Sequence, residues 1–194
     1  MPQAISPARE ARRGVCSPAR SASSLAILLQ TPIGGASDAG RPSLLATWTA
    51  PRPQSPRRLV AVVRIEGQDD NDLAKAVAYC RRKRWKNPVI LGACGKREDH
   101  AIGNVFRALE FGLEIVTGSG RFVPVCGRKT FRVRPGTAVS VFAPDSTTRM
   151  TSRGLEWPLD GVRFQNLYCA TLNRATSSRV ALTANRPVSV FICQ

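Results

Sequence analysis

Residues 92–104 read GACGKREDHAIGN, a stretch that combines two glycines three apart with a lysine, an arginine, an aspartate and the chain's only histidine. Gly92 and Gly95 allow a tight turn that leaves backbone N–H groups exposed, which suits a phosphate. Lys96 adds a mobile positive charge and Arg97 a planar one. Asp99 can hold a divalent cation or cap a helix, and His100 can act as a base, donate a hydrogen bond or simply pack. A plainer reading stands beside this one. Gly-x-x-Gly turns are common, the Walker spacing is absent, and Asp99 alone can be an ordinary N-cap.

The elements on either side would aim this loop. Pro88-Val89-Ile90-Leu91 is a short apolar run, and Ile102, Val105, Phe106 and Leu109 recur at helical spacing across residues 101–111. Strand, glycine turn and helix follow in that order, so the positive end of the helix dipole points at the loop. Upstream, residues 59–65 read as a strand, and Leu73, Ala76, Val77 and Cys80 make one apolar helix face. Asp69 and Asp72, three apart at the start of that helix, face one side. They can share a cation, or one can cap while the other binds, and two ordinary first-turn acids is the plainer alternative. Arg81, Arg82, Lys83, Arg84 and Lys86 crowd the far end, where cations complement the dipole, and read as a solvated terminus.

From Leu113 the pattern changes to period two. Short strands are expected over 113–117, 121–125, 130–133, 138–142 and 189–192, separated by glycine and proline, as in a small antiparallel sandwich or barrel. Phe131-Arg132-Val133-Arg134 alternates as one buried and one wet face require.

Residues 1–58 differ from everything after them. They are rich in Pro, Ser, Ala and Arg, hold no lysine, and have Glu10 and Asp38 as their only acids, so the stretch is expected to be without regular structure. The chain of 194 residues, 43% apolar, has room for a substantial core. Its net charge of +16 keeps nucleic acid open as a partner class, but the charge is scattered and no RNP, zinc-finger or helix-turn-helix signature accompanies it. Six cysteines at irregular spacing, with no CxxC, argue against structural zinc and for buried, reduced thiols in a cytoplasmic protein. Residues 25–29, the longest early apolar run, are too short to span a bilayer; the arginines before them fit a transit peptide better than a signal peptide.

Four blocks together resemble the thiamine pyrophosphokinase (thiamine diphosphokinase) family: QDDNDLAKAVAYC at 68–80, the glycine loop at 92–104, GLEWPL at 154–159 and ATLN at 170–173. The similarity runs from about Val62 to the C-terminus. It implies an α/β fold: a truncated parallel-sheet nucleotide-binding domain followed by a small antiparallel β-sandwich. The expected divisions are an out-of-family segment at 1–58, a partial ATP-binding catalytic domain at 59–118, and a thiamine-binding and dimerisation domain at 119–194. The resemblance implies transfer of pyrophosphate from ATP to thiamine, with Mg²⁺ held by Asp69, Asp72 and Asp99. ATP would meet Gln68, Gly95, Lys96, Arg97, His100 and Asn104, and Asp69, Asp72, Arg97 and Asp99 would be catalytic. Thiamine would meet Trp157, Thr171 and Asn173, in a cleft between the sandwich of one subunit and the α/β domain of another. The expected partners are thiamine, ATP and a second copy of the chain, with no membrane.

The family's Asp-Gly-Gly turn and Gly-Asp-x-Asp-Ser loop have no counterpart in residues 1–58. Gly67 stands where some members carry another Asp, Ala170 where Gly is usual, and Arg174 where Glu is often found. A relative that binds thiamine without turning it over is therefore the second expectation, and a nucleic-acid-binding protein the third. A parallel sheet without its first strands would also expose an edge.

Overall fold

A computed structural model describes residues 25–29, 44–47, 60–62, 71–85, 87–94 and 97–194. Helix α1 spans Asp72–Arg82 and buries Leu73, Ala74, Ala76, Val77 and Cys80, the apolar face read from the sequence together with one further small residue. Its N-cap is Asn71, whose side-chain oxygen accepts from the Ala74 N–H at 2.8 Å. Asp72 lies in the first turn, so the cap the sequence offered to Asp69 or Asp72 is taken by the amide beside them. At the other end Arg81, Arg82, Lys83 and Arg84 are exposed. Arg82 and Lys83 lie over the Tyr79 ring and Arg81 over Phe111. These cations complement the helix terminus, as expected.

Strand β4 (Pro88–Leu91), helix α2 (Glu98–Phe111) and strand β5 (Glu114–Val116) form a β-α-β unit, because β4 and β5 pair in parallel. Helix α2 ends at Gly112 in the left-handed region, where the Gly112 and Leu113 N–H groups return to Leu109 and Ala108. Ile90 and Ile115 are fully buried between the helices and the sheet, in a core with Leu73, Val77, Val105 and Ala108.

On the other side β4 pairs antiparallel with β1 (Leu25–Leu29), β1 with β2 (Leu44–Thr47), and β2 in parallel with β3 (Val60–Val62). Two strands thus fall within the segment expected to lack regular structure. Leu25-Ala26-Ile27-Leu28-Leu29, too short to span a bilayer, is a normal strand length, and it covers the edge of β4 that was expected to stay open.

The remaining strands curl around a second core. β6 (Gly120–Arg132) pairs with β5 and, along its whole length, with β10 (Arg179–Cys193). The C-terminal half of β10 pairs with β7 (Ala138–Phe142), which pairs with β9 (Ala170–Arg174), while its N-terminal half pairs with β8 (Met150–Arg153). Between these halves the register slips from Ala184↔Gly127 to Val188↔Val125, a bulge that holds Pro187, which has no N–H to donate. Val180, Leu182 and Ala184 from one half and Val188, Val190 and Ile192 from the other share one buried cluster with Phe164. The bulged ribbon therefore folds over its own core, and the ten strands among the described residues belong to one continuous mixed sheet.

Sequence reading divided β6 at Gly127, where glycine signals a turn. Here Gly127 has φ +77 and sits opposite the bulge, so it bends a continuous strand instead of ending it. The same bend hid the N-terminal half of β10. Strands β8 and β9 were missed because their buried residues are too few to alternate clearly: Met150 alone in the first, Ala170 and Asn173 in the second. The five described cysteines are all free thiols; burial holds for Cys80, whereas Cys126 and Cys169 are exposed. No helix among the described residues is long and apolar enough to cross a membrane.

Candidate functional site

Two groups of the expected residues stand at different places in the fold. The first surrounds the N-terminus of α2. Arg97 is the N-cap residue and lends no side-chain cap, and Asp99 lies inside the first turn, so the reading of Asp99 as a cap does not hold. Instead Asp99 takes two hydrogen bonds from the Arg97 guanidinium, from Nε at 3.1 Å and from the terminal nitrogen at 2.5 Å. Both side chains are more than half exposed. The Arg97 hydrogen bond is the first cause that holds the Asp99 carboxyl below the usual carboxylate range, and the same bond to Asp99 raises Arg97. Asn104, one turn further along α2, donates from Nδ2 to the Ala93 carbonyl at 2.9 Å and so ties the helix to the loop. His100 is exposed on the first turn. Gln68, Asp69, Gly95 and Lys96 lie outside the described residues.

This geometry sets a titration. Because the folded-state value of Asp99 is depressed, the pair's contribution is present above the ordinary carboxylate range and is lost as pH falls through the lowered value. A carboxyl-detected NMR titration should find Asp99 ionised into more acidic solution than an ordinary exposed aspartate, and Arg97→Gln should move it back up. Equal titration of Asp99 in both proteins would remove the Arg97 bond as its cause.

The acids alone do not complete a cation site among the described residues, where no group of three His, Cys, Asp or Glu side chains could hold a metal ion. Asp99, moreover, is already bonded to a cation.

The second group stands on the β6–β10 body. Residues 154–157 run antiparallel to 173–176: Thr176 N–H donates to Gly154, Leu155 bridges Ala175, and Glu156 N–H donates to Arg174. Gly154 has φ +80, and a Cβ there would meet the Arg179 carbonyl oxygen at 2.2 Å, so the corner requires glycine. Trp157 next to it is 54% exposed, and Tyr168 and Leu172 present two more uncovered apolar side chains. Leu172 itself has φ +62, at the irregular register of β7 with β9. Asn173 is buried. The Thr171 hydroxyl donates to the Tyr168 carbonyl at 2.9 Å, which leaves its oxygen able to accept. Arg174, the departure that altered the expected charge, faces Glu156 at 3.8 Å.

Within one chain no hydrogen bond or ion pair joins Arg97 and Asp99 to Trp157, Thr171 or Asn173 among the described residues. A cavity of about 660 Å³ is bounded by Ile102, Val105 and Phe106 of α2 and by Phe122, Phe142 and Phe191 of the sheet. Sequence reading missed it. Its walls come from four separate elements, and only Phe106 and its neighbours had marked a face in advance.

Comparison with known proteins follows the same two regions. The family model described as thiamin pyrophosphokinase, catalytic domain, matches residues 53–116, and the model described as thiamin pyrophosphokinase, substrate-binding domain, matches residues 120–191. A search of curated proteins finds no match. Among solved structures, the thiamine pyrophosphokinase from Bacillus subtilis is 17% identical with a TM-score of 0.53, over 70% of this chain and 67% of that one. A thiamin pyrophosphokinase family protein from Enterococcus faecalis is 15% identical with a TM-score of 0.59, over 69% and 68%. The thiamin pyrophosphokinase from Geobacillus thermodenitrificans is 22% identical with a TM-score of 0.54, over 70% and 66%. The chain thus spans about two thirds of the length of these structures, and the likeness is one of fold. Both domain models of one family fall in order on more than half of the residues, on the same mixed α/β architecture, and the chain belongs to the thiamin pyrophosphokinase family.

Proposed function

We propose that this chain transfers a pyrophosphoryl group from ATP to the hydroxyl of thiamine, giving thiamine diphosphate and AMP. The observation that carries the reading is the placement of the two family models: the catalytic one spans the loop with Arg97, Asp99 and Asn104, and the substrate-binding one spans the corner with Trp157. Arg97 and the exposed N–H groups at the start of α2 would bind and orient the phosphates, and Asn104 would hold the loop in place through Ala93. His100, exposed on the same turn, would be a further phosphate contact. Gln68, Gly95 and Lys96 complete the nucleotide site in this reading. The family's pattern assigns Mg²⁺ to Asp69, Asp72 and Asp99; the described carboxylates do not form such a site as they stand, and positioning by the loop is the part this geometry supports.

At the other corner the exposed indole of Trp157 offers a flat apolar face and Thr171 an acceptor, which suit the rings of thiamine. Since no hydrogen bond or ion pair joins the two groups among the described residues, a homodimer that brings the corner of one subunit to the loop of another is part of the proposal. So are the domain divisions at 59–118 and 119–194. The free thiols suit the cytoplasm as its compartment.

A second reading, thiamine binding without turnover, is favoured by the engagement of Asp99 with Arg97. Both readings require thiamine to bind. Calorimetry on the full chain should show saturable thiamine binding that weakens by about tenfold or more in Trp157→Ala, the usual scale for an aromatic contact of this kind. Absence of binding in the unaltered chain would defeat both.

A further inference from the structure

The buried amide of Asn173 does its work on Trp157. The short ladder between residues 154–157 and 173–176 is made of backbone bonds as far as Glu156 and Arg174. It cannot continue in the same way. The backbone at Leu172 turns into the left-handed region and gives its N–H to Ser140 Oγ at 3.1 Å, and Pro158 has no N–H to offer. At this point the Asn173 side chain substitutes for a peptide group. Its Oδ1 accepts from the Trp157 N–H at 3.2 Å, and its Nδ2 donates to the Trp157 carbonyl at 2.7 Å. Oδ1 also accepts from the Arg174 N–H at 2.8 Å.

Both acceptor sites of the amide oxygen are therefore used inside the chain, and the residue is only 4% exposed. A group so placed is poorly available to a ligand. The residue it holds is the opposite: Trp157 keeps its backbone pinned on both polar atoms while the residue as a whole stands 54% exposed. We infer that Asn173 is a positioning residue, an amide clamp that fixes the backbone of Trp157 and so presents the indole in one orientation to a flat cationic heteroaromatic ligand. The identity of that ligand as thiamine rests on the proposed function; the clamp does not.

The test uses the full chain labelled with 5-fluorotryptophan, with the Trp157 signal assigned by its loss in Trp157→Phe. In the unaltered, ligand-free protein Trp157 should give one sharp ¹⁹F resonance. Asn173→Ala should broaden or split that resonance while the Trp85 signal and the thermal unfolding transition stay in place, which shows that the protein is still folded. Asn173→Asp sets an acceptor against the Trp157 carbonyl where the donor stood, so it should disturb the resonance at least as much as Asn173→Ala. An unchanged Trp157 resonance in Asn173→Ala would overturn the clamp, whether or not thiamine binds.

Thiamine affinity then supplies a double-mutant cycle. Asn173→Ala should weaken binding by about tenfold, and adding it to Trp157→Ala should cost little more, because both act through one indole. Additive losses would mean that Asn173 touches the ligand itself, and would also overturn the clamp. If the unaltered chain binds no thiamine, the thiamine reading fails by itself and the fluorine spectra alone decide the clamp.

Discussion

Asp99→Ala should lower thiamine-dependent AMP release by about a hundredfold or more, the scale on which removal of one preorganised charged group at a phosphoryl-transfer site is felt. The substitution removes the carboxylate and also releases Arg97, which Asp99 holds by two hydrogen bonds. Asp99→Asn separates these effects, since an amide oxygen still accepts from Arg97 but carries no charge. If Asp99 acts through its charge, the asparagine variant should be nearly as inactive as the alanine one. If it only orients Arg97, the asparagine variant should keep much of the activity. Neither should change thermal stability measurably, because the pair is exposed and such pairs contribute little. A large drop in melting temperature with Asp99→Ala would show that the pair is structural.

The largest effect on stability is expected at Gly154. Alanine there must adopt φ +80, and its Cβ would lie 2.2 Å from the Arg179 carbonyl oxygen and 2.8 Å from the Ser177 hydroxyl. The left-handed conformation alone costs about 1–2 kcal/mol for a residue with a Cβ. The contact with Arg179 is to backbone at the start of β10, so relief requires the corner or the strand to move. Gly161 is the built-in comparison, because its φ is +78 but an added Cβ would meet nothing within 4 Å. Gly161→Ala should cost only the conformational term, and Gly154→Ala clearly more, at least about 2 kcal/mol, with weaker thiamine binding because the corner beneath Trp157 shifts. Equal denaturation midpoints for the two variants would show that the Gly154 corner gives way freely.

What could be read in advance follows from how local each signal is. The faces of α1 and α2 were legible because Leu73, Val77, Val105 and Leu109 repeat at a period that only a helix satisfies. The β-α-β order around the loop was legible for the same reason. The long β6–β10 ribbon was not, since a glycine and a proline in mid-strand carry the same signal as a turn, and only the partner strand shows that they are a bend. Strands β1 and β2 were hidden in a proline-rich composition whose average outweighed two short apolar runs.

The site divides in the same way. Asp99 and Arg97 were identifiable as residue types in a loop, but their bond to one another depends on the first turn of α2 and no spacing rule announces it. Asn71 as a cap, by contrast, is an ordinary local signal that the search for cation ligands passed over. Asn173 was singled out for its amide, and the structure spends that amide on Trp157, sixteen residues away in the chain. Long-range hydrogen bonds of this kind decide whether a polar residue faces a ligand or holds the residue that does.

The proposed pyrophosphoryl transfer requires the α2 loop and the Trp157 corner to serve one reaction. The most direct test is to incubate the purified full chain with ATP, Mg²⁺ and thiamine and to measure AMP and thiamine diphosphate together. Both should form in equal amounts, only when thiamine is present. Saturable thiamine binding with no AMP and no thiamine diphosphate would contradict it and leave a binding protein built on the same fold.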